Sequence, residues 1–303
     1  MHKYIVLLLA VALAACQPAS ESTPEPAAES AAEEPASEAP AAEEDSLAAL
    51  LDAQPDDVKA RYQYRHPGET LEFFDIKPGM TVVEGLPGGG WYTKLLLPYL
   101  GKDGHLIGAS YAADMWQHFS FANEEFLARQ STWLTDWPAG AEEWRGEDGA
   151  TIAAFTFGAL PEEMAGTADA VFLVRVLHNA ARFGSVRDYL GELLADSYKV
   201  LKPGCVLGIV QHHARDDMSD EFADGSHGYL KKDFVIAAAE AAGFEFVAES
   251  DINANPLDQP TDDDIVWRLP PSLATSRENP ELKAELEAIG ESNRMTLKFR
   301  KPE

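Results

Sequence analysis

Apolar positions along this chain alternate between two patterns, and their order predicts the fold. Short β-branched or aliphatic runs at Thr81–Glu84, His105–Ala109, Thr151–Phe157, Ala170–Leu177, Val206–Gln211, Phe244–Ala248 and Met295–Phe299 have the length and composition of strands. Between them lie stretches with helical spacing. Val58–Arg65 reads as a helix that stops before Pro67, and Glu69–Phe74 as a short amphipathic turn. A helix over Trp91–Leu97 ends around Pro98 and Gly101, and Asn123–Leu134 is another. Ser185 caps a helix whose apolar positions Val186, Tyr189, Leu190, Leu193, Leu194 and Leu201 share one face. Lys231–Ala242 closes at Gly243. Pro256, Pro260, Pro270 and Pro271 make Asp251–Asn293 a loop with one late helix, Glu281–Glu291. Alternating strands and helices predict an α/β domain with a mostly parallel sheet and helices on both faces.

One stretch carries more than fold. Val82–Thr93 (VVEGLPGGGWYT) reads as a buried strand, an acid, a glycine turn and a helix start. Gly88, Gly89 and Gly90 allow a sharp turn and the close approach of a ligand. The helix that follows points its free N–H groups at the turn. In α/β folds a nucleotide-like cofactor sits there, outside the carboxyl end of the first strand. Lys77-Pro78-Gly79 and Lys202-Pro203-Gly204 are turn sequences of type II character before the first and fifth strands.

The termini and the charge bound the setting. His2 and Lys3 precede an apolar run, Tyr4–Leu13, too short to span a bilayer. The run ends in Leu13-Ala14-Ala15-Cys16, which resembles the lipobox of bacterial lipoproteins. That resemblance implies cleavage before Cys16, lipidation of its thiol and a periplasmic protein held to the membrane by lipid alone. Gln17 after the cysteine resembles the outer-membrane sorting pattern. Residues 17–46 are almost all Ala, Glu, Pro and Ser, and read as a disordered acidic tether. The folded domain is expected over residues 47–303. Without signal and tether it holds 42 acids against 23 bases, a net of −19. Such a charge argues against nucleic acid or anionic phospholipid as partner. With Cys16 lipidated, Cys205 has no cysteine to pair with and reads as a small core residue.

Taken together, the motifs from about Pro67 to Lys301 resemble class I S-adenosylmethionine-dependent methyltransferases. Leu201-Lys202-Pro203-Gly204-Cys205 matches that family's turn before strand five. Ala241-Ala242-Gly243-Phe244 and the late strand ending Lys298-Phe299 match its tail. More narrowly, the PGGGWYT, VLHN and RMTLKF segments resemble a group of predicted bacterial methyltransferases. The resemblance implies a Rossmann-like, seven-stranded sheet with a final antiparallel strand. It implies S-adenosylmethionine as cofactor, met by Glu84, Gly88, Gly89, Gly90, Tyr92 and the end of strand two at Ser110. Two positions depart from the family pattern: Leu86 stands at the first glycine, and Ser110 stands where an acid binds the ribose hydroxyls. A serine makes a weaker contact there than a carboxylate.

The remaining chemistry lies at strand ends. His178 and Asn179 follow strand four, so His178 is the candidate general base, or a histidine satisfied by loop backbone. Arg175 interrupts an apolar strand and needs an anion or carbonyl partner, read here as a structural ion pair. His212 and His213 follow strand five on opposite faces. With His178 and His227 they raise a metal site as an alternative, although no zinc-type spacing is present. Arg215–Gly228 reads as a lid or a solvated loop, and His66 with the basic island Arg61–Arg65 as a cover over the cofactor site or, more simply, a solvated helix face. Trp91 or Tyr92 could meet a sulfonium by cation–π attraction, or pack the helix on the sheet. The leading expectation is an envelope-anchored methyltransferase acting on a small molecule. The alternative is a lipoprotein of the same fold that binds a ligand or metal without methyl transfer.

Overall fold

The structure, a computed structural model, describes residues 39–303. The signal, the lipobox and residues 17–38 of the expected tether lie outside the described residues. Four short helices come first: α1 (Ala39–Asp52), α2 (Asp56–Lys59), α3 (Tyr62–Arg65) and α4 (Pro67–Phe73). Helix α1 therefore begins inside the stretch read as tether. Then follow β1 (Thr81–Gly85), α5 (Thr93–Leu100), β2 (His105–Ser110), α6 (Glu124–Ser131), α7 (Trp133–Arg145), β3 (Thr151–Thr156) and β4 (Ala168–Val174). The chain continues through α8 (Leu177–Arg182), α9 (Tyr189–Val200), β5 (Leu201–His212), α10 (Lys232–Ala241), β6 (Glu245–Ser250), α11 (Pro280–Ile289) and β7 (Arg294–Arg300).

The seven strands form one sheet in the order β3-β2-β1-β4-β5-β7-β6. Strand β7 runs antiparallel to both of its neighbours, and all other pairs are parallel. This is the Rossmann-like arrangement the resemblance implies. Period-two alternation deals the apolar residues to two cores. Val83, Val171, Leu173, Leu207 and Ile209 face one cluster with Leu193 of α9 and Val235 of α10. Val82, Ala170, Phe172, Val206 and Val210 face the other, with Leu71 of α4, Leu95 of α5 and Trp137 of α7.

The differences from expectation have local causes. Strand β4 ends at Val174 because Arg175 takes a left-handed φ of 59°, and Leu177 already begins α8. His178 therefore sits on a helix rather than at a strand end. Asp188, not Ser185, caps α9, its carboxylate accepting from the Gly191 amide at 2.9 Å. Helix α7 was hidden by Pro138 and Gly140. Its Trp137 lies over Gly108 of β2 and stacks with Trp133, ring centroids 5.4 Å apart, so tertiary packing overrides the poor local propensity. Val58–Arg65 breaks into α2 and α3 around Ala60–Arg61. Gly79 and Gly204 both have positive φ as expected, but Lys202-Pro203-Gly204 lies inside β5, at a register shift of its pairing with β4, rather than in a turn before the strand.

Candidate functional site

Strand β1 delivers Glu84 to the carboxyl edge of the sheet, where it is buried. Gly85 follows because a side chain there would overlap Leu173 of β4. The turn then alternates: Leu86, Gly88 and Gly90 have φ of 50°, 56° and 75°. Leu86 thus takes a left-handed conformation although it is not a glycine, at a cost of about 1–2 kcal/mol. Its amide donates to the Ala109 carbonyl at 2.7 Å, and its side chain packs on the core, which holds it there. The turn is open on one side only. A Cβ on Gly89 would meet nothing within 4 Å, and one on Gly88 only the Leu86 carbonyl at 3.7 Å. A Cβ on Gly90 would instead run into the Trp144 ring.

Thr93, the first residue of α5, donates its hydroxyl to Glu84 Oε2 at 2.7 Å. Burial raises the Glu84 pKa to about 7, against the opposing pull of its hydrogen bonds from the Thr93 side chain and backbone. No cation offsets that burial. At neutral pH this carboxyl is poised between its two forms.

Tyr92 turns away from the open side of the turn. Its ring is buried edge-on against Phe172, and its hydroxyl donates to the Arg65 carbonyl at 3.3 Å. Here it packs the helix on the sheet. Trp91 is covered on one face by the Arg65 guanidinium, 4.4 Å from its ring centroid. At the end of β2, Ser110 is buried and is followed by the buried Tyr111, whose hydroxyl donates to the Val176 carbonyl at 2.6 Å. The nearest acid beyond, Asp114, is held by both of its oxygens on Arg187 at 3.0 and 2.9 Å. The strand end thus presents a hydroxyl and no carboxylate.

His178 is brought to the same edge. Gln211 Nε2 donates to the Gly228 carbonyl, which fixes the orientation of the amide. The same nitrogen reaches His178 Nδ1 at 3.3 Å, so the ring proton lies on Nε2. Burial lowers the His178 pKa to about 3, with Arg175 adding to the effect. With so low a pKa His178 is uncharged at neutral pH and a weak base. His212 lies beside it, ring centroids 5.3 Å apart, its Nδ1 paired with Ser292 Oγ at 2.6 Å. Burial lowers its pKa well below the usual histidine value. His227 stacks instead on Phe222. Among the described residues no group of three His, Cys, Asp or Glu side chains could hold a metal ion. The segment Arg215–Gly228 is anchored by Met218, Phe222 and Ala223 in a small core of their own with Tyr229.

The sequence did not reveal a cluster of arginines. Glu291, just before β7, accepts from Arg61, Arg65 and Arg294. Burial alone would raise its carboxyl, but Arg294, Arg65 and Arg61 prevail and hold it at about 2. Arg65 is buried, so the island Arg61–Arg65 is no solvated face. Arg175 completes the group without an ion pair, which corrects the structural pairing expected for it. Its Nε is out of reach of solvent and has no hydrogen-bond partner. The cluster joins residues about 230 positions apart, as in Arg61 and Glu291, so no local spacing signals it.

No protein-family model matches the chain, and no curated protein matches it. Solved structures do resemble it. A SAM dependent methyltransferase from Aquifex aeolicus is 18% identical, over 69% of this chain and 93% of that one, with a TM-score of 0.43. The 1,6-didemethyltoxoflavin-N1-methyltransferase of Burkholderia thailandensis, with bound 1,6-didemethyltoxoflavin and S-adenosylhomocysteine, is 11% identical over 91% and 94%, also at 0.43. The 4+2 cyclase SpnF is 15% identical over 78% and 80%, at 0.47. The fold assignment rests on the sheet order itself.

Proposed function

We propose that this domain transfers a methyl group from S-adenosylmethionine to a small-molecule acceptor at the carboxyl edge of β1 and β4. The observation that carries this reading is the turn after β1. Leu86, Gly88 and Gly90 preserve a left-handed glycine-loop backbone, open over Gly89, beside the buried Glu84. The cofactor fits that cradle. Glu84 and the backbone of Gly88 and Gly89 would hold it, with Ser110 at the ribose end, and it supplies an electrophilic methyl on a sulfonium.

The chain's own part is placement, which supplies much of the rate of a two-substrate transfer. The neutral His178 offers an Nε2–H donor for orienting an acceptor, and a proton lost by the acceptor passes to solvent water. Ser110 replaces a charge-assisted contact by a neutral one, worth about 1.4 kcal/mol less, so cofactor binding is weaker by roughly tenfold than with a carboxylate.

Calorimetric titration with S-adenosylmethionine tests the reading. Binding is expected in the wild type and is expected to vanish in Gly89→Leu, whose side chain enters open space and leaves the unfolding midpoint unchanged. Unaltered binding in that variant would place the cofactor elsewhere. The second reading, a ligand-binding protein of this fold without transfer, is favoured by the missing carboxylate after β2. It predicts ligand binding with no turnover.

The same proposal places the chain in the periplasm, lipid-anchored through Cys16 to the outer membrane. Its support is the Leu13–Cys16 segment and the acidic stretch after it. In a Gram-negative host the protein should partition with membranes, and Cys16→Ser should be released or remain unprocessed. Equal association of both forms would refute the anchor.

A further inference from the structure

A chain with a net charge of −27 gathers four arginines around one carboxylate at its carboxyl edge. Arg61, Arg65, Arg175 and Arg294 face Glu291 alone, and His178 and His212 beside them are neutral. The excess of positive charge borders a pocket of about 110 Å³, lined by Arg175, His212, Trp267, Ser292 and Arg294 among others. A single water needs about 10–15 Å³, so a polyatomic ligand has room.

The two arginines on the pocket wall differ in what they already do. Arg294 donates to Glu291, to Ser292 Oγ at 3.3 Å and to the Tyr64 carbonyl at 3.3 Å. Arg175 has its Nε unpartnered, and its backbone is held in a left-handed conformation that a non-glycine residue adopts only at a cost. Neither packing nor pairing within the chain explains why an arginine stands there. An anion in the pocket would satisfy the guanidinium and offset its three like-charged neighbours.

Placement adds the second half of the argument. Arg175 directly follows β4, and its amide donates to Val210 of β5 at 2.7 Å. Strand β4 lies next to β1, with Leu173 paired to Gly85, one residue before the open turn. Adjacent strands lie about 4.8 Å apart, so Arg175 leaves the sheet one strand over from the cradle.

We propose that this pocket binds the oxyanion group, carboxylate or phosphate, of a small organic acid that is the acceptor, with Arg175 as its principal ligand. The assignment of that ligand as acceptor rests on the methyl-transfer reading; the anion site itself does not. The experiment uses the folded protein without S-adenosylmethionine. Thermal unfolding is followed against acetate and, separately, inorganic phosphate, with chloride at matched ionic strength as the control. One of the two oxyanions should raise the midpoint in a saturable way that chloride does not reproduce, and which one does so names the group. Arg175→Met should bind it at least roughly tenfold more weakly, the loss expected for a charge-assisted contact. Without anion, that variant should unfold at a higher temperature than wild type, since it removes a half-buried guanidinium whose Nε has no partner.

If Arg175 is structural, Arg175→Met unfolds earlier, and the proposal fails. It fails equally if neither oxyanion stabilises the wild type, or if the variant responds as the wild type does. Failure here with intact S-adenosylmethionine binding leaves the methyl-transfer reading standing with an uncharged acceptor. Anion binding in a protein that ignores S-adenosylmethionine leaves the site and removes the transfer.

Discussion

Glu84→Gln isolates the group on which the cradle turns. In the folded domain the Glu84 carboxyl titrates near 7, raised by burial, against an ordinary value of 4.5. Below 4.5 it is protonated whether the chain is folded or unfolded. Between 4.5 and about 7 the folded state holds a proton that the unfolded state has released, so stability falls as pH rises through that window. A difference of roughly 2.5 units at 1.36 kcal/mol each gives a loss of about 3 kcal/mol, complete above pH 7. Glutamine keeps the shape and the acceptor for Thr93 and carries no charge. The variant should therefore match the wild type near pH 4.5 and exceed it by about 3 kcal/mol at pH 8, measured by urea unfolding. The difference between the two proteins removes every other titrating group from the comparison. The same carboxyl should release a proton when a cationic cofactor binds at pH 7, visible as a buffer-dependent heat of binding in wild type and absent in Glu84→Gln. A variant whose stability tracks the wild type across the whole range would show that Glu84 is ionised at ordinary pH and that the burial argument is wrong.

Two further substitutions test the edge of the sheet. Gly90→Ala, at φ 75° and with its new methyl against Trp144, should lose about 1–2 kcal/mol to backbone strain and more to overlap. Adding Trp144→Ala should recover only the overlap, as read by paired urea curves. His178 should make the domain acid-sensitive. Its folded pKa of about 3 lies below the ordinary 6.5, so its contribution is complete above 6.5 and is lost as pH falls towards 3, up to about 5 kcal/mol. His178→Gln should flatten that acid limb, and an unchanged limb would assign it to other groups.

The architecture was legible because it is written locally. Strands such as Val82–Val83 and Met295–Phe299 are short apolar runs bounded by turn residues, and β7 could be placed antiparallel through the tail motif alone. The turn was legible too, since Gly88 and Gly90 take the positive φ that glycine there suggests. Side-chain direction was not. Tyr92 sits beside the turn in sequence but points into the core, because the first turn of α5 carries it towards Phe172. His178 reads as a base when only its place after β4 is known. Its burial against Gln211 and His212, set by residues more than 30 positions away, lowers its pKa and makes it a weak base. Arg61 and Arg65 look like a solvated face until β7 brings Glu291 and Arg294 to them.

The carboxyl edge thus divides into two halves of different electrostatic character. The half at β1 holds one buried carboxyl whose pKa is set by desolvation and by Thr93, with no arginine among its causes. The half at β4, β5 and β7 holds four guanidinium groups, and the shift of Arg175 owes nothing to Glu84. A cationic sulfonium is therefore favoured beside β1, close to the ionising Glu84, and disfavoured over the arginines, of which Arg65 comes near the turn by covering Trp91. An anionic acceptor has the opposite preference. Were the two ligands to exchange places, each would meet like charge in a low-dielectric site, where such juxtaposition costs several kcal/mol. On the proposed reading, this charge layout puts a cationic donor on the β1 side of Gly85 and Leu173 and an anionic acceptor on the β4 side.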